Sequence, residues 1–244
     1  MMANFSRQQL SDRVLSALTL TMLLGCTVPV GAQIGHQPGQ SPYRDLVYKQ
    51  ELSLLTGYHG GSKGRAGVAP AGGPLLGVRY EIRIGGPATF TARLARVWSE
   101  RTVIDPTKPD STRSLGKRDW PIYLSDVGIS INLTGQKSFW QLVPVLNGGI
   151  GVATDFSKGG DPGGYSFGTP FAFNFGGGIR WVGSSRLQLR LDIADYLYQL
   201  EYPDSYFVPP VGETGGGAVL AGSASKNEYT HNAVLTLGAS YLFS

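Results

Sequence analysis

The strongest constraint in this chain is a two-residue rhythm of apolar and polar side chains. Leu76, Val78, Tyr80, Ile82 and Ile84 alternate with Gly77, Arg79, Glu81 and Arg83. An extended strand points successive side chains to opposite faces, so this stretch sets a greasy face against an ionic one. The last segment repeats the pattern. Tyr229, His231, Ala233, Leu235, Leu237, Ala239, Tyr241 and Phe243 share one parity, and Glu228, Thr230, Asn232, Thr236, Gly238 and Ser240 the other. Val234 and Leu242 are the exceptions on the polar side.

The same template predicts eight strands: 49–58, 75–84, 88–103, 120–134, 139–155, 169–182, 186–202 and 227–243. In the seventh, Leu187, Leu189, Leu191 and Ile193 stand opposite Arg186, Gln188, Arg190 and Asp192. Tyr196, Tyr198, Leu200 and Tyr202 then fall on the other parity, which predicts a β-bulge near Ala194 and Asp195. Arg96 is a lone cation on an apolar face.

Composition excludes the competitors. Charged residues are 16% of the 244, against a usual share of about 25%, and the 35 glycines are about twice the usual frequency. Aromatics at 11% argue against a disordered chain, and one cysteine against a disulfide scaffold. A net charge of +4, scattered without a basic cluster, gives no expectation of nucleic acid as a partner.

The N-terminal region reads as an export signal. Arg7 and Arg13 precede an apolar run from Val14 to Leu24, too short for a bilayer span and right for a signal-peptide core. Val30-Gly31-Ala32 supplies a cleavage site before Gln33. Leu23-Leu24-Gly25-Cys26 offers the alternative of a lipoprotein cleavage box. The expected organisation is a signal peptide over 1–32, a periplasmic tail over 33–48 and a barrel over 49–244.

The connections alternate in length. The tight ones are Gly85-Gly86-Pro87, Gly135–Ser138 and Gly183–Ser185, and the long ones are 59–74, 104–119, 156–168 and 203–226. An up-and-down barrel would gather the long loops at one end. That sorting suits a barrel inserted from the side that keeps the short turns.

Three features turn the apolar face toward lipid. Several predicted strands exceed the 5–6 residues usual in globular proteins. Aromatics gather at strand ends: Tyr58, Trp98, Trp120, Tyr123, Phe171, Tyr196, Tyr198 and Tyr229 toward the long loops, and Trp140, Trp181, Tyr241 and Phe243 toward the turns. The polar face carries Arg79, Glu81, Arg83, Arg93, Asp126, Arg180, Arg190, Asp192 and Glu228, a set able to fill a narrow lumen as a structural network of ion pairs. Gly77, Gly128, Gly149, Gly151, Gly176, Gly178 and Gly238 would leave room for the long arginines.

With these residues in place, the predicted mature chain resembles the small eight-stranded bacterial outer-membrane barrels of the OmpA and OmpX type. The most specific token is the alternation from Leu235 to Tyr241 and Phe243, similar to the C-terminal signal read by the barrel-assembly machinery. Ser244 follows where that family usually ends on the aromatic. The resemblance implies an all-β, eight-stranded antiparallel up-and-down transmembrane β-barrel in the outer membrane. It also implies contact with outer-membrane lipid and lipopolysaccharide, and with the assembly machinery during biogenesis. Because the sequence ends on the barrel, peptidoglycan binding is not implied.

No cofactor is expected. The glycine-rich run after Val143 lacks the following helix that a phosphate cradle needs. His36, His59 and His231 form no ligand spacing, and Asp155 and Asp161 beside Gly159-Gly160 match no calcium-loop pattern. His231 with Glu228 or Asp195 lacks a serine partner for hydrolysis. The expected function is a structural or surface-interaction role carried by the loops, with a packed interior rather than an open pore and no enzymatic activity. The alternatives are a soluble lipocalin-like barrel holding an apolar ligand, and an enzyme acting on lipid A.

Overall fold

The computed structural model describes residues 41–156, 160–183, 186–210 and 216–243. The predicted signal peptide, Cys26, His36, the start of the predicted tail and Ser244 lie outside the described residues. The strands are β1 (Tyr43–Asp45), β2 (Gln50–Gly60), β3 (Gly73–Gly85), β4 (Ala88–Val97), β5 (Glu100–Ile104), β6 (Ser114–Asp119), β7 (Ile122–Asn132), β8 (Lys137–Phe139), β9 (Leu142–Thr154), β10 (Phe171–Trp181), β11 (Leu187–Glu201) and β12 (Asn227–Phe243).

Eight of these close an antiparallel barrel in the order β2-β3-β4-β7-β9-β10-β11-β12, with β12 returning to pair with β2. Closure removes the open edges that would otherwise seek partners. Each predicted strand is found within a few residues of its expected position, and β12 coincides with its prediction. The predicted third strand is divided: Trp98 and Ser99 separate β4 from β5, which leaves the wall to pair with β6 as a two-stranded ribbon. The expected turn over 135–138 instead contains β8, whose Phe139 pairs with Leu142. Between them Trp140 and Gln141 hold left-handed φ values of 48° and 65°, the backbone a two-residue hairpin turn needs.

Burial along the barrel strands is inverted relative to a water-soluble barrel. Leu237 is 58% exposed on the outside, while its neighbour Thr236 is 2% exposed on the inside. The outward face carries Leu54, Val78, Leu94, Ile129, Phe173, Leu191 and Ile193, all exposed, whereas the four arginines at 79, 93, 180 and 190 are buried. An apolar surface this continuous is stable in hydrocarbon and not in water. The lipocalin-like alternative required the opposite placement and is set aside.

The bulge expected in β11 is absent. Its register with β12 runs unbroken from Leu187 opposite Tyr241 to Glu201 opposite Asn227. Tyr196, Tyr198 and Leu200 continue the inward parity of Arg190 and Asp192 and are buried in the lumen. What changes along the strand is the chemistry of the lumen.

The glycines also differ from expectation. At Gly128, Gly149, Gly151 and Gly176, an added Cβ would first meet the backbone of a neighbouring strand. Close approach of chains explains most of them, and the arginine stem does so at Gly238, where Arg190 Cγ stands 2.6 Å from the Cβ position.

Candidate functional site

The lumen has two zones. At the turn end it is ionic, and Arg190 of β11 lies at its centre. Its Nη1 donates to Glu81 at 2.8 Å and to Glu51 at 3.3 Å, while Nε and Nη2 grip Asp192 at 2.6 and 3.1 Å. Arg180 pairs with Glu51 at 3.0 Å and Glu81 at 3.4 Å, and also donates to Asn132. Arg79 Nε lies 2.6 Å from Glu81, and its Nη2 donates to Asn147 at 3.0 Å. Arg93 takes Asp126 with both prongs, at 3.0 and 3.3 Å. Four buried arginines thus face four buried carboxylates, Glu51, Glu81, Asp126 and Asp192. That balance is what a low-dielectric interior demands, because an unpaired charge there would carry an uncompensated desolvation cost.

Of the residues expected in this network, Arg79, Glu81, Arg93, Asp126, Arg180, Arg190 and Asp192 meet in the lumen. Arg83 is half-buried at the turn-end mouth, where it lines a cavity of about 380 Å³. The segment 44–49, which includes the end of β1, lines the same cavity, and β1 pairs with β8, which in turn pairs with β9. Glu228 is absent from the network. It stands at the opposite rim, accepting from Tyr202 at 2.6 Å and from the Arg65 amide at 2.9 Å. Glu51 was missed by sequence reasoning. Its one signal was parity: Glu51 and Ser53 share the inward face of β2 with Leu55. Tyr241 and Phe243 stack on the outside at the turn end, with centroids 6.5 Å apart.

The zone nearer the loops is apolar. Tyr196 marks the boundary, donating to Asp126 at 2.6 Å while Arg93 lies 5.1 Å from its ring centroid. Above it, Leu75, Val97, Ile122, Leu124, Tyr198, Leu200 and Val234 pack into one cluster. Tyr196 and Tyr198 were expected in the outer aromatic belt and are instead in this core. Trp120, also expected in the belt, packs partly buried against the cluster and donates to Asp155 at 2.8 Å. The lumen therefore holds two dissimilar zones, one ionic and one apolar.

The loops form a cap above it. The first connects β2 to β3, the second carries β5 and β6, the third connects β9 to β10 and the fourth connects β11 to β12. Each contributes to a second apolar cluster: Val68 from the first, Ile104 from the second, Tyr165 from the third, and Tyr206 and Leu220 from the fourth. Tyr165, Tyr202 and Tyr206 stack with centroids 6.1 to 6.2 Å apart. A buried clasp joins the second and third loops, where Arg101 Nη1 donates to Asp161 at 2.8 Å and its Nη2 engages the other oxygen. The Arg101 guanidinium also lies 4.1 Å from the Trp120 ring centroid. Burial pushes the phenols of Tyr165, Tyr202 and Tyr206 well above their ordinary value of 10.0, because a phenolate would be desolvated there.

The candidate metal and catalytic residues are dispersed. Asp155 accepts from Trp120, and Asp161 is held by Arg101. Among the described residues no group of three possible metal ligands gathers. His59 is buried, and among the described residues neither ring nitrogen has a hydrogen-bond partner. His231 is on the outer face, with Nδ1 2.5 Å from Asp195, and among the described residues no serine hydroxyl hydrogen-bonds to its ring.

No family model matches this chain, and neither does any curated protein. Several solved structures of small outer-membrane barrels are similar to it. Neisserial surface protein A is 12% identical, with 83% of this chain and 98% of that one covered at a TM-score of 0.46. OprG from Pseudomonas aeruginosa is 13% identical, covering 80% and 97% at 0.48. The outer membrane protein AlkL, solved in lipid bilayers, is 16% identical, covering 86% and 96% at 0.43. The assignment as a closed eight-stranded barrel rests on this chain's own strand pairing, and its inverted burial gives it the character of a membrane barrel.

Proposed function

We propose that this chain is an exported outer-membrane protein whose barrel is a sealed, non-catalytic support for a surface-exposed loop cap. The observation that carries this reading is the apolar cluster to which all four loops contribute. Loops that merely connect strands share no core of their own. These do, so their polar exterior is held in a fixed shape before any partner arrives, which reduces the ordering cost of recognition. The apolar outer wall favours a membrane setting, and the sorting of long loops to one end favours the cell-surface orientation. Among the described residues no serine hydroxyl hydrogen-bonds to the His231 ring that Asp195 engages, which supports a non-enzymatic role.

The test has two arms. In a planar bilayer the inserted protein is expected to pass no steady single-channel current, and a stable open conductance would refute the sealed barrel. On intact cells, a tag inserted at Gly222 of the fourth loop is expected to be accessible to antibody. Labelling only after the outer membrane is permeabilised would refute the orientation.

A further inference from the structure

We propose that the outer wall of β3, β4, β7 and β9, at its loop end, is a binding site for one phosphorylated, acylated glycolipid of the lipid A class, with a phosphate seated on Arg96. This rests on the outer-membrane reading and names a specific lipid partner within it.

A groove of about 570 Å³ runs along this wall. It arises from register. Val78 pairs with Leu94, Leu94 with Ser125 and Ser125 with Val152, so one small hydroxyl residue interrupts a row of aliphatic side chains. The groove lies over that interruption, between Val78, Leu94 and Val152. Two residues toward the loops, the corresponding row reads Leu76, Arg96, Tyr123 and Thr154. Arg96 is therefore a cation at the head of an apolar trough.

The guanidinium is held in place. Its Cζ lies 5.1 Å from the Trp98 ring centroid and 5.8 Å from that of Tyr123, and no carboxylate pairs with it among the described residues. Aromatic faces fix a guanidinium while leaving its N–H groups free for a planar, bidentate acceptor such as phosphate. Phe156 completes the head of the groove. It holds a left-handed φ of 50° and is 73% exposed, with its ring 5.0 Å from that of Tyr123. Its amide donates to Thr154 Oγ1 at 3.1 Å, and that hydroxyl shares a hydrogen bond with Thr169 at 2.7 Å. A phenylalanine in this backbone region is strained, and the surrounding hydrogen bonds keep its ring on the outer wall.

The chemistry thus pairs an anion-binding head with an apolar trough, which fits a phosphate attached to acyl chains. The loop end places this head in the outer leaflet, where lipid A carries the phosphates. The trough takes acyl chain, and Ser125 offers a hydroxyl to an ester or amide carbonyl.

The test uses the full-length exported chain, folded in micelles and examined by native mass spectrometry with bisphosphorylated lipid A, fully dephosphorylated lipid A or phosphatidylglycerol. Folding of each variant is checked by gel mobility before and after boiling. The wild-type protein is expected to retain bisphosphorylated lipid A. Loss of one charge-assisted contact in Arg96→Gln should weaken retention roughly tenfold. Dephosphorylated lipid A should be retained as weakly by the wild type, and Ser125→Leu, which fills the trough, should weaken retention with Arg96 intact. Equal retention by wild type and Arg96→Gln would overturn the proposal. Phosphatidylglycerol retained as well as lipid A would overturn the choice of lipid. A wild-type chain that inserts into bilayers but fails to retain lipid A defeats this site alone, whereas one that does not insert defeats the outer-membrane reading with it.

Discussion

Arg190 donates to Glu81 at 2.8 Å, a contact between residues 109 positions apart that reaches from β11 to β3 past β12 and β2. The same guanidinium holds Asp192 and Glu51. One cation thus ties together carboxylates from three strands at the centre of the lumen.

Arg190→Met should therefore cost about 3–5 kcal/mol of folding stability, because it strands buried carboxylates rather than merely deleting a contact. Equilibrium urea unfolding in lipid vesicles measures this. Adding Glu81→Gln to the same chain should recover part of the loss, since the two residues share one network. An unchanged unfolding midpoint in the single variant would contradict the assigned role.

Backbone and side-chain crowding should give different penalties. A Cβ at Gly151 would lie 2.1 Å from the Ser125 carbonyl oxygen, which belongs to the barrel wall. At Gly238 it would meet the Arg190 stem at 2.6 Å and Leu55 Cδ2 at 2.8 Å, both able to move. Gly238→Ala is expected to cost about 1–3 kcal/mol, and Gly151→Ala more than that. Unfolding curves giving the reverse order would show that the wall yields more readily than the network.

The loop clasp can be loosened separately from the barrel. Arg101→Leu leaves Asp161 without its buried cation, so the second and third loops should open more often. Limited trypsin digestion should then cut after Arg113 or Lys117 at least severalfold faster, with unfolding of the barrel nearly unchanged. Equal cleavage rates would mean that the clasp does not order the cap.

The stacked tyrosines predict an alkaline limit to cap stability. Burial raises the phenols of Tyr165, Tyr202 and Tyr206 above the 10.0 they have when exposed. The unfolded cap therefore loses these protons at lower pH than the folded one. Their contribution is fully present below pH 10 and is lost as pH rises through the higher folded values. Ultraviolet absorbance should detect phenolate from the solvent-exposed tyrosines first, with further ionisation accompanied by faster loop proteolysis. Ionisation of every tyrosine near pH 10 with the cap intact would contradict the burial.

The eight wall segments were legible because strict alternation survives wherever one face is aliphatic and the other ionic, as in β3 and β12. Legibility ended where both faces are apolar. Tyr196, Tyr198 and Leu200 were read as a phase change because apolar parity was equated with the lipid side, whereas near the loops the lumen is itself apolar. Glu228 lies on the inward parity but too near the loop end of a seventeen-residue strand to reach the ionic zone. Parity assigns a face, and only the register between strands assigns a depth. Glu51 was overlooked because Leu54 and Leu55 are adjacent on opposite faces and blur the rhythm of β2. The shared loop core left no signal, since Val68, Ile104, Tyr165 and Leu220 are scattered through segments without periodicity.

The central claim is that the aliphatic face of the wall meets hydrocarbon while the ionic face is sealed inside. Spin labels placed singly at Val78, Leu94, Leu237 and Thr236, in protein inserted into lipid vesicles, test it through collision with oxygen and with a water-soluble nickel complex. The first three labels are expected to be mobile, readily relaxed by lipid-dissolved oxygen and shielded from nickel, and the label at Thr236 to be immobile and shielded from both. Strong nickel relaxation at Val78, Leu94 and Leu237 would place that face in water and contradict the account.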